Sequence, residues 1–181
     1  MPSNKDTPEA ICEDSVQAFR RLLQESDVGC ALIGTAFLDD CLEALLRASF
    51  LNDPQVMDSL LGVDHRPLGT FSSRIDVAYC LGLITPDERK ELHLMRNIRN
   101  HFAHQRRKTT FSEAPVSDLC RNLQGVSHKC PKASFVAVAV VQSALLLLRA
   151  VEARRHNFQE NYPVPIGEEA LSKLMKAIEH D

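Results

Sequence analysis

An all-α bundle of about six to eight helices is the fold class this sequence predicts, and three observations predict it. No stretch of the 181 residues alternates apolar and polar side chains with the period of two that a half-buried strand needs. Three times a capping side chain stands directly before proline, at Thr7-Pro8, Asp53-Pro54 and Thr85-Pro86. That order marks helix starts, because proline lacks the N–H that the first turn leaves unpaired anyway. Elsewhere apolar residues recur at spacings of three and four, which gathers them on one side of a helix turning about 100° per residue.

Composition sets the frame. With 44% hydrophobic and 25% charged residues, the chain has the make-up of a soluble globular protein, and its length suits one all-helical domain over residues 1–181. The net charge of -3 and pI near 6.2 argue against nucleic-acid binding through overall charge, while leaving room for a local basic patch. Six cysteines, at 12, 30, 41, 80, 120 and 130, form no CxxC pair, and the start MPSNKDTPEA fits neither a signal peptide nor a transit sequence. Reduced thiols in a cytoplasmic protein are the expectation.

Taken in order, Thr7 and Pro8 open a helix to about Gln24 with a stripe of Ile11, Ser15, Ala18, Phe19 and Leu22. Asp27 is the expected cap of a second helix, about 28 to 51, whose small residues Gly29, Ala31, Gly34 and Ala36 would admit a close neighbour. Asn52, Asp53 and Pro54 stop it and start a short helix to Leu61. GVDHRPLG at 62–69 reads as a loop. A fourth helix, about 70 to 83, carries Phe71, Ile75, Ala78, Tyr79 and Leu83 at helical spacing and ends near Gly82. In the fifth, Thr85, Pro86 and Glu88 form a capping box, and the helix runs to about His104. After Lys108 an irregular region to about 131 contains one weak helix near 117–124. A long apolar helix follows at about 133–156. Its run FVAVAVVQSALLLL at 135–148 has fourteen residues and includes Gln142 and Ser143, so a buried helix is expected and not a membrane span. Residues 157–167, with Pro163 and Pro165, link to a last amphipathic helix at 168–180.

The fifth helix holds the chemistry. Leu94, Met95, Ile98 and Phe102 fall on one arc, and His93, Arg96, Asn97, Asn100, His101 and His104 fall on the opposite one. Arg99 lies beside Met95 and Ala103 at the margin of the apolar arc. An unpaired charge there would cost several kcal/mol, so Arg99 is expected to meet a carboxylate or to line a cleft. Asp39, Asp40 and Glu43 share one arc of the second helix and are the candidates to face Arg74 or Arg99 as structural ion pairs. From Arg89 to Lys108 seven basic side chains oppose the single acid Glu91, a concentration that would steer a nucleic acid or an acidic protein. Arg96, His101, Arg106, Arg107 and Lys108 are its candidate binding residues. No metal or cofactor is expected: Cys120, His128 and Cys130 lack a fourth ligand and a close pair.

RNIRNHFAH contains two overlapping copies of R-N-x-x-x-H: Arg96 and Asn97 with His101, and Arg99 and Asn100 with His104. The pattern resembles the signature of the HEPN superfamily, helical bundles that often dimerise and include metal-independent ribonucleases. The resemblance implies that Arg99 and His104, with Asn100 positioning, would carry such a reaction: histidine as acid or base on the ribose hydroxyl and leaving oxygen, arginine against phosphate charge.

A broader likeness covers about 28–104. ALIGTAFLDDCLEALLRASF, the Pro67-Leu68-Gly69 turn, the helix bearing Arg74, the Gly82-Leu83-Ile84 ending and the Arg-x4-His spacing of Arg99 and His104 together resemble the mannitol operon repressor family of bacteria. The resemblance implies an all-helical, HEPN-like bundle, a homodimer, and negative regulation of a sugar-alcohol uptake operon. Neither the family nor this chain shows a helix-turn-helix that would enter a major groove, so regulation through a protein partner is implied. The segment 109–131 and the tail after Asn157 stand outside the likeness.

Overall fold

A computed structural model describes residues 7–50, 52–62, 66–104, 109–124 and 130–157. Among the described residues stand seven helices and no strand: α1 (Pro8–Gln24), α2 (Asp27–Ser49), α3 (Pro54–Leu61), α4 (Phe71–Cys80), α5 (Pro86–His104), α6 (Val116–Arg121) and α7 (Pro131–Asn157). The fold is all-α, as the periodicity predicts. The expected linker and last helix beyond Asn157 lie outside the described residues, as do Arg106, Arg107, Lys108 and His128.

Side chains cap the helices much as the sequence indicates. The Ala10 N–H reaches the Thr7 hydroxyl, and the Asp53 carboxylate accepts from both Gln55 and Val56 at 3.1 Å. At α5 the box is reciprocal: Glu88 N–H donates to the Thr85 hydroxyl at 3.2 Å, and Thr85 N–H donates to the Glu88 carboxylate at 2.8 Å. One cap differs. Ser26, not Asp27, closes the start of α2 by accepting from Gly29 N–H at 3.0 Å. Asp27 already lies in the first turn, and its carboxylate is taken by the Phe111 N–H at 3.1 Å and by Lys132 at 3.3 Å. The aspartate that looked local is a tie between the start of α2 and two later segments. After α4 the chain turns through Gly82 at φ +70°, and Leu83 N–H returns to the Ala78 carbonyl at 2.9 Å. A Cβ would be strained in that left-handed conformation.

The core sits where α2 and α7 pack side by side in the same direction. Lys132 meets Asp27 at their starts, and Cys41 lies beside Ser143 near their middles. Between these points a Cβ on Gly34 would stand 3.2 Å from the Phe135 ring, so glycine sets the close approach. α5 runs the other way along α7, pairing Glu88 with Arg149 at 2.9 Å and buried Glu91 with Gln142. Leu38, Leu42 and Leu45 of α2, Ile75 of α4, Leu92, Met95 and Ile98 of α5, and Phe135 and Leu146 of α7 are fully buried between them. Leu92 takes the place in this core expected of Leu94, which is half-buried. The irregular region after α5 is pinned by Phe111, which packs 4.8 Å from Phe102 and 5.2 Å from Phe135, ring centre to ring centre.

α7 is the one described helix long and apolar enough to cross a membrane, and 61% of that window is buried inside the bundle. Within the 135–148 run only Val141 and Leu145 are exposed. The apolar surface of this run is therefore mostly used within the chain.

Candidate functional site

Arg74 organises the approach to the site. It is 4% exposed, and every direction of its guanidinium is used. Nε donates to the Leu68 carbonyl at 2.9 Å, Nη1 to Asp39 at 2.7 Å, and Nη2 to the Leu61 carbonyl and to Glu43, both at 2.6 Å. One side chain thus ties α2, the end of α3, the Pro67-Leu68-Gly69 turn and α4. Glu43 also holds Arg47 at 2.8 Å, which reaches Asp58 at 2.9 Å. Burial pushes the Asp39 carboxyl above its ordinary range, against the opposing pull of Arg74. Of the three acids proposed as partners, Asp39 and Glu43 meet Arg74. Asp40 is exposed and makes no ion pair among the described residues.

With that turn fixed, the amino end of α4 faces the last turns of α5 across an open cleft of about 730 Å³. Its walls include Leu32, Thr35, Ala36 and Asp39 of α2, residues 69–72 at the start of α4, and Arg96, Arg99, Asn100 and His104 of α5. Arg96, Asn100 and His104 are spaced by four, so they form one stripe along the helix, with Arg99 flanking it. Arg99 is exposed and meets no carboxylate among the described residues. Its Nη1 donates to the Asn100 side-chain oxygen at 3.1 Å. The helix wheel sets it near the apolar side, but the bundle opens at that level. The guanidinium therefore lines a cleft instead of needing a buried acid.

The two R-N-x-x-x-H copies are treated unequally. Arg99, Asn100 and His104 share this cleft, whereas His101 and Asn97 line an adjoining hollow of about 490 Å³ with Leu119 of α6. Asn100 and His104 border both. His101 is thereby separated from Arg96, its partner in the first copy.

Two features were not visible in the sequence. Asp76 on α4 accepts from Arg89 at 2.9 and 2.6 Å and meets His93 at 3.2 Å, while the Arg89 guanidinium stands 5.3 Å from the Tyr79 ring centre. Arg89 foremost, with His93 adding, holds the Asp76 carboxyl below its ordinary range. Arg89 is thus withdrawn from the basic patch in which it was counted. The second is Thr35, 4% exposed at the cleft with a hydroxyl that has no hydrogen-bond partner among the described residues. A threonine inside an apolar helix gives no advance signal of this.

Among the described residues no three histidine, cysteine or acidic side chains come together as a metal site. Cys30, Cys41 and Cys120 are buried thiols, each pushed up to about 12 by burial, and so are poor nucleophiles.

Comparison with curated proteins and with solved structures gives no match. A family model described as mannitol repressor matches residues 20–158. The match takes in the Arg74 network, the cleft and all of α2 to α7. It also extends through 109–131, past the part of the chain in which the likeness was first legible. Covering well over half of the sequence and most of its packed core, it shows that the chain belongs to the mannitol repressor family.

Proposed function

We propose that this protein is a transcriptional regulator of the mannitol repressor type that acts by contacting another protein and not by reading DNA itself. The family match over residues 20–158 carries the regulatory part. The distribution of charge supports the contact mechanism. A DNA reader neutralises many phosphates with free basic side chains. Here the chain is acidic overall, and Arg74, Arg89 and Arg149 are each engaged by a carboxylate of the protein. A cytoplasmic location fits this role. So does a homodimer, for which the exposed Ile33 and Phe37 on α2 offer apolar contact surface. Light scattering after size exclusion would give twice the chain mass for a dimer, and a single chain mass at micromolar concentration rejects it.

Cell-free transcription tests the mechanism. On templates carrying the promoters beside its own gene, the purified protein should lower transcript yield in cell extract and leave it unchanged with purified polymerase alone. Equal repression in both systems would mean that it reads the template directly.

A second reading has its own observation: Arg99, Asn100 and His104 line one cleft. A HEPN-type ribonuclease, or an RNA-binding module of toxin–antitoxin kind, would use them, with His104 moving a proton and Arg99 meeting phosphate charge. Single-stranded RNA incubated with the protein and a chelator should be cut, and His104→Ala should abolish cutting. Intact RNA in both incubations removes this enzyme reading.

A further inference from the structure

We infer that the cleft between the amino end of α4 and the last turns of α5 binds a small phosphorylated ligand, its phosphoryl group held by Arg96, Arg99 and the first N–H groups of α4. This goes beyond the regulatory reading and does not rest on it.

Three independent observations meet in that space. The first is unspent positive charge. Arg47, Arg74, Arg89 and Arg149 each meet a carboxylate, but Arg96 and Arg99 meet none among the described residues, although both line the same cleft. Among the described lining residues the one carboxylate, Asp39, is already committed to Arg74. A cleft with two guanidinium groups and no free acid favours an anion.

The second is the state of the α4 amino end. Thr70 and Ser73 cap each other, with Ser73 N–H on the Thr70 hydroxyl at 3.1 Å and Thr70 N–H on the Ser73 hydroxyl at 3.3 Å. Those bonds leave the N–H groups of Phe71 and Ser72 without an acceptor among the described residues, and both residues line the cleft. Free N–H groups at a helix start, with the positive end of the helix dipole, suit phosphate oxygens.

The third is Thr35. A helical threonine normally passes its hydroxyl proton to the carbonyl one turn back. This one is 96% buried, lines the cleft, and has no partner among the described residues. A buried hydroxyl left unsatisfied is a deficit that a polar ligand atom would remove.

Size and charge choose the class of ligand. At about 730 Å³ the cleft exceeds what a free phosphate fills and is in the range of pockets for small organic molecules. Leu32, Ala36 and Phe71 give an organic body an apolar wall. A nucleic-acid strand is disfavoured by the net charge of -3 and by a cleft in which Phe71 is the one Phe, Tyr or Trp among the described lining residues.

Isothermal titration of the full chain in phosphate-free buffer at low salt tests this, with inorganic phosphate, ribose 5-phosphate, ribose and a single-stranded RNA twelve-mer as probes. Saturable binding of ribose 5-phosphate is expected, with none of ribose. Equal binding of inorganic phosphate would identify the free ion as the source and still support the anion site; weaker binding would show that the organic body contributes. The double variant Arg96→Gln, Arg99→Gln should weaken binding by about tenfold or more, with an unchanged melting temperature because neither side chain is engaged by a carboxylate. Thr35→Val should weaken it several-fold. Absence of saturable heat with either phosphate at millimolar concentration overturns the inference, and so does unaltered affinity in the folded double variant. Tighter binding of RNA than of both small phosphates would assign the cleft to a polymer and overturn it as well.

Discussion

At the scale of single residues, Arg74 shows what a local reading of sequence can and cannot reach. Three acids on one arc of α2 announce that a cation belongs opposite them, and helical spacing offers Asp39, Asp40 and Glu43 as candidates, of which Asp39 and Glu43 meet Arg74. The carbonyls of Leu61 and Leu68, which complete the shell, depend on how a loop folds, and no spacing rule reports that. Because the guanidinium is buried with four partners, Arg74→Ala leaves Asp39 without its cation, Glu43 with Arg47 alone, and two carbonyls without a donor. A loss of about 2–3 kcal/mol is expected in urea unfolding, near the lower end for broken buried pairs since both acids keep some contact with water. Arg74→Lys should recover only part of it, as an ammonium group cannot span the same fork. Thiols report burial at the same scale. Cys80 and Cys130 are exposed and should react promptly with a thiol reagent at neutral pH. Cys30, Cys41 and Cys120 should react only on unfolding; prompt modification of any of them in the native protein would contradict the packing of α2 and α6.

At the scale of elements, α5 was legible at its start and partly misread along its length. Its capping box is written in Thr85 and Glu88 and is present in the structure as a reciprocal pair. What sequence could not supply is that Glu88 continues inward to Arg149 on α7, or that Glu91 is buried against Gln142. Both contacts join segments more than fifty residues apart, and each acid looks like an ordinary solvated helix residue beforehand. For Arg99 the sequence leaves two outcomes open, a carboxylate or a cleft, and the side chain lines a cleft. Helix arithmetic gives direction, but whether that direction holds protein or a cleft is decided by where α2 and α4 stop. The Glu88 linkage has a sign that can be worked out. Burial alone would raise its carboxyl, but the Thr85 N–H and Arg149 outweigh that and hold it below the unfolded value, which is near 4.5. The stabilisation is complete above that pH and disappears as pH falls through the folded value. Wild-type stability should therefore drop on acidification below about pH 4.5, and Glu88→Gln should be less stable at pH 7 with a shallower acid limb. Identical acid limbs in chemical denaturation would show that the cap and ion pair add nothing.

At the scale of the whole molecule, the all-α class was readable because amphipathic periodicity and proline-marked helix starts recur along the chain, and both survive without knowledge of neighbours. The order in which the helices pack was not readable. That α2 and α7 lie side by side in the same direction follows from Gly34 meeting Phe135 and Asp27 meeting Lys132, pairings across about a hundred residues. The cleft exists because of that arrangement, since α2 supplies one wall, α4 its amino end and α5 its basic stripe. Family membership covers this whole assembly and not one motif, and a regulatory role is what that membership suggests. The most direct measurement of that role is the transcript profile of cells lacking the gene, compared with the parent and with a strain complemented by the full chain. A regulatory role predicts that a small set of transcripts rises on deletion and returns to the parental level on complementation. Indistinguishable profiles in all three strains, under conditions where the parent makes the protein, would contradict it.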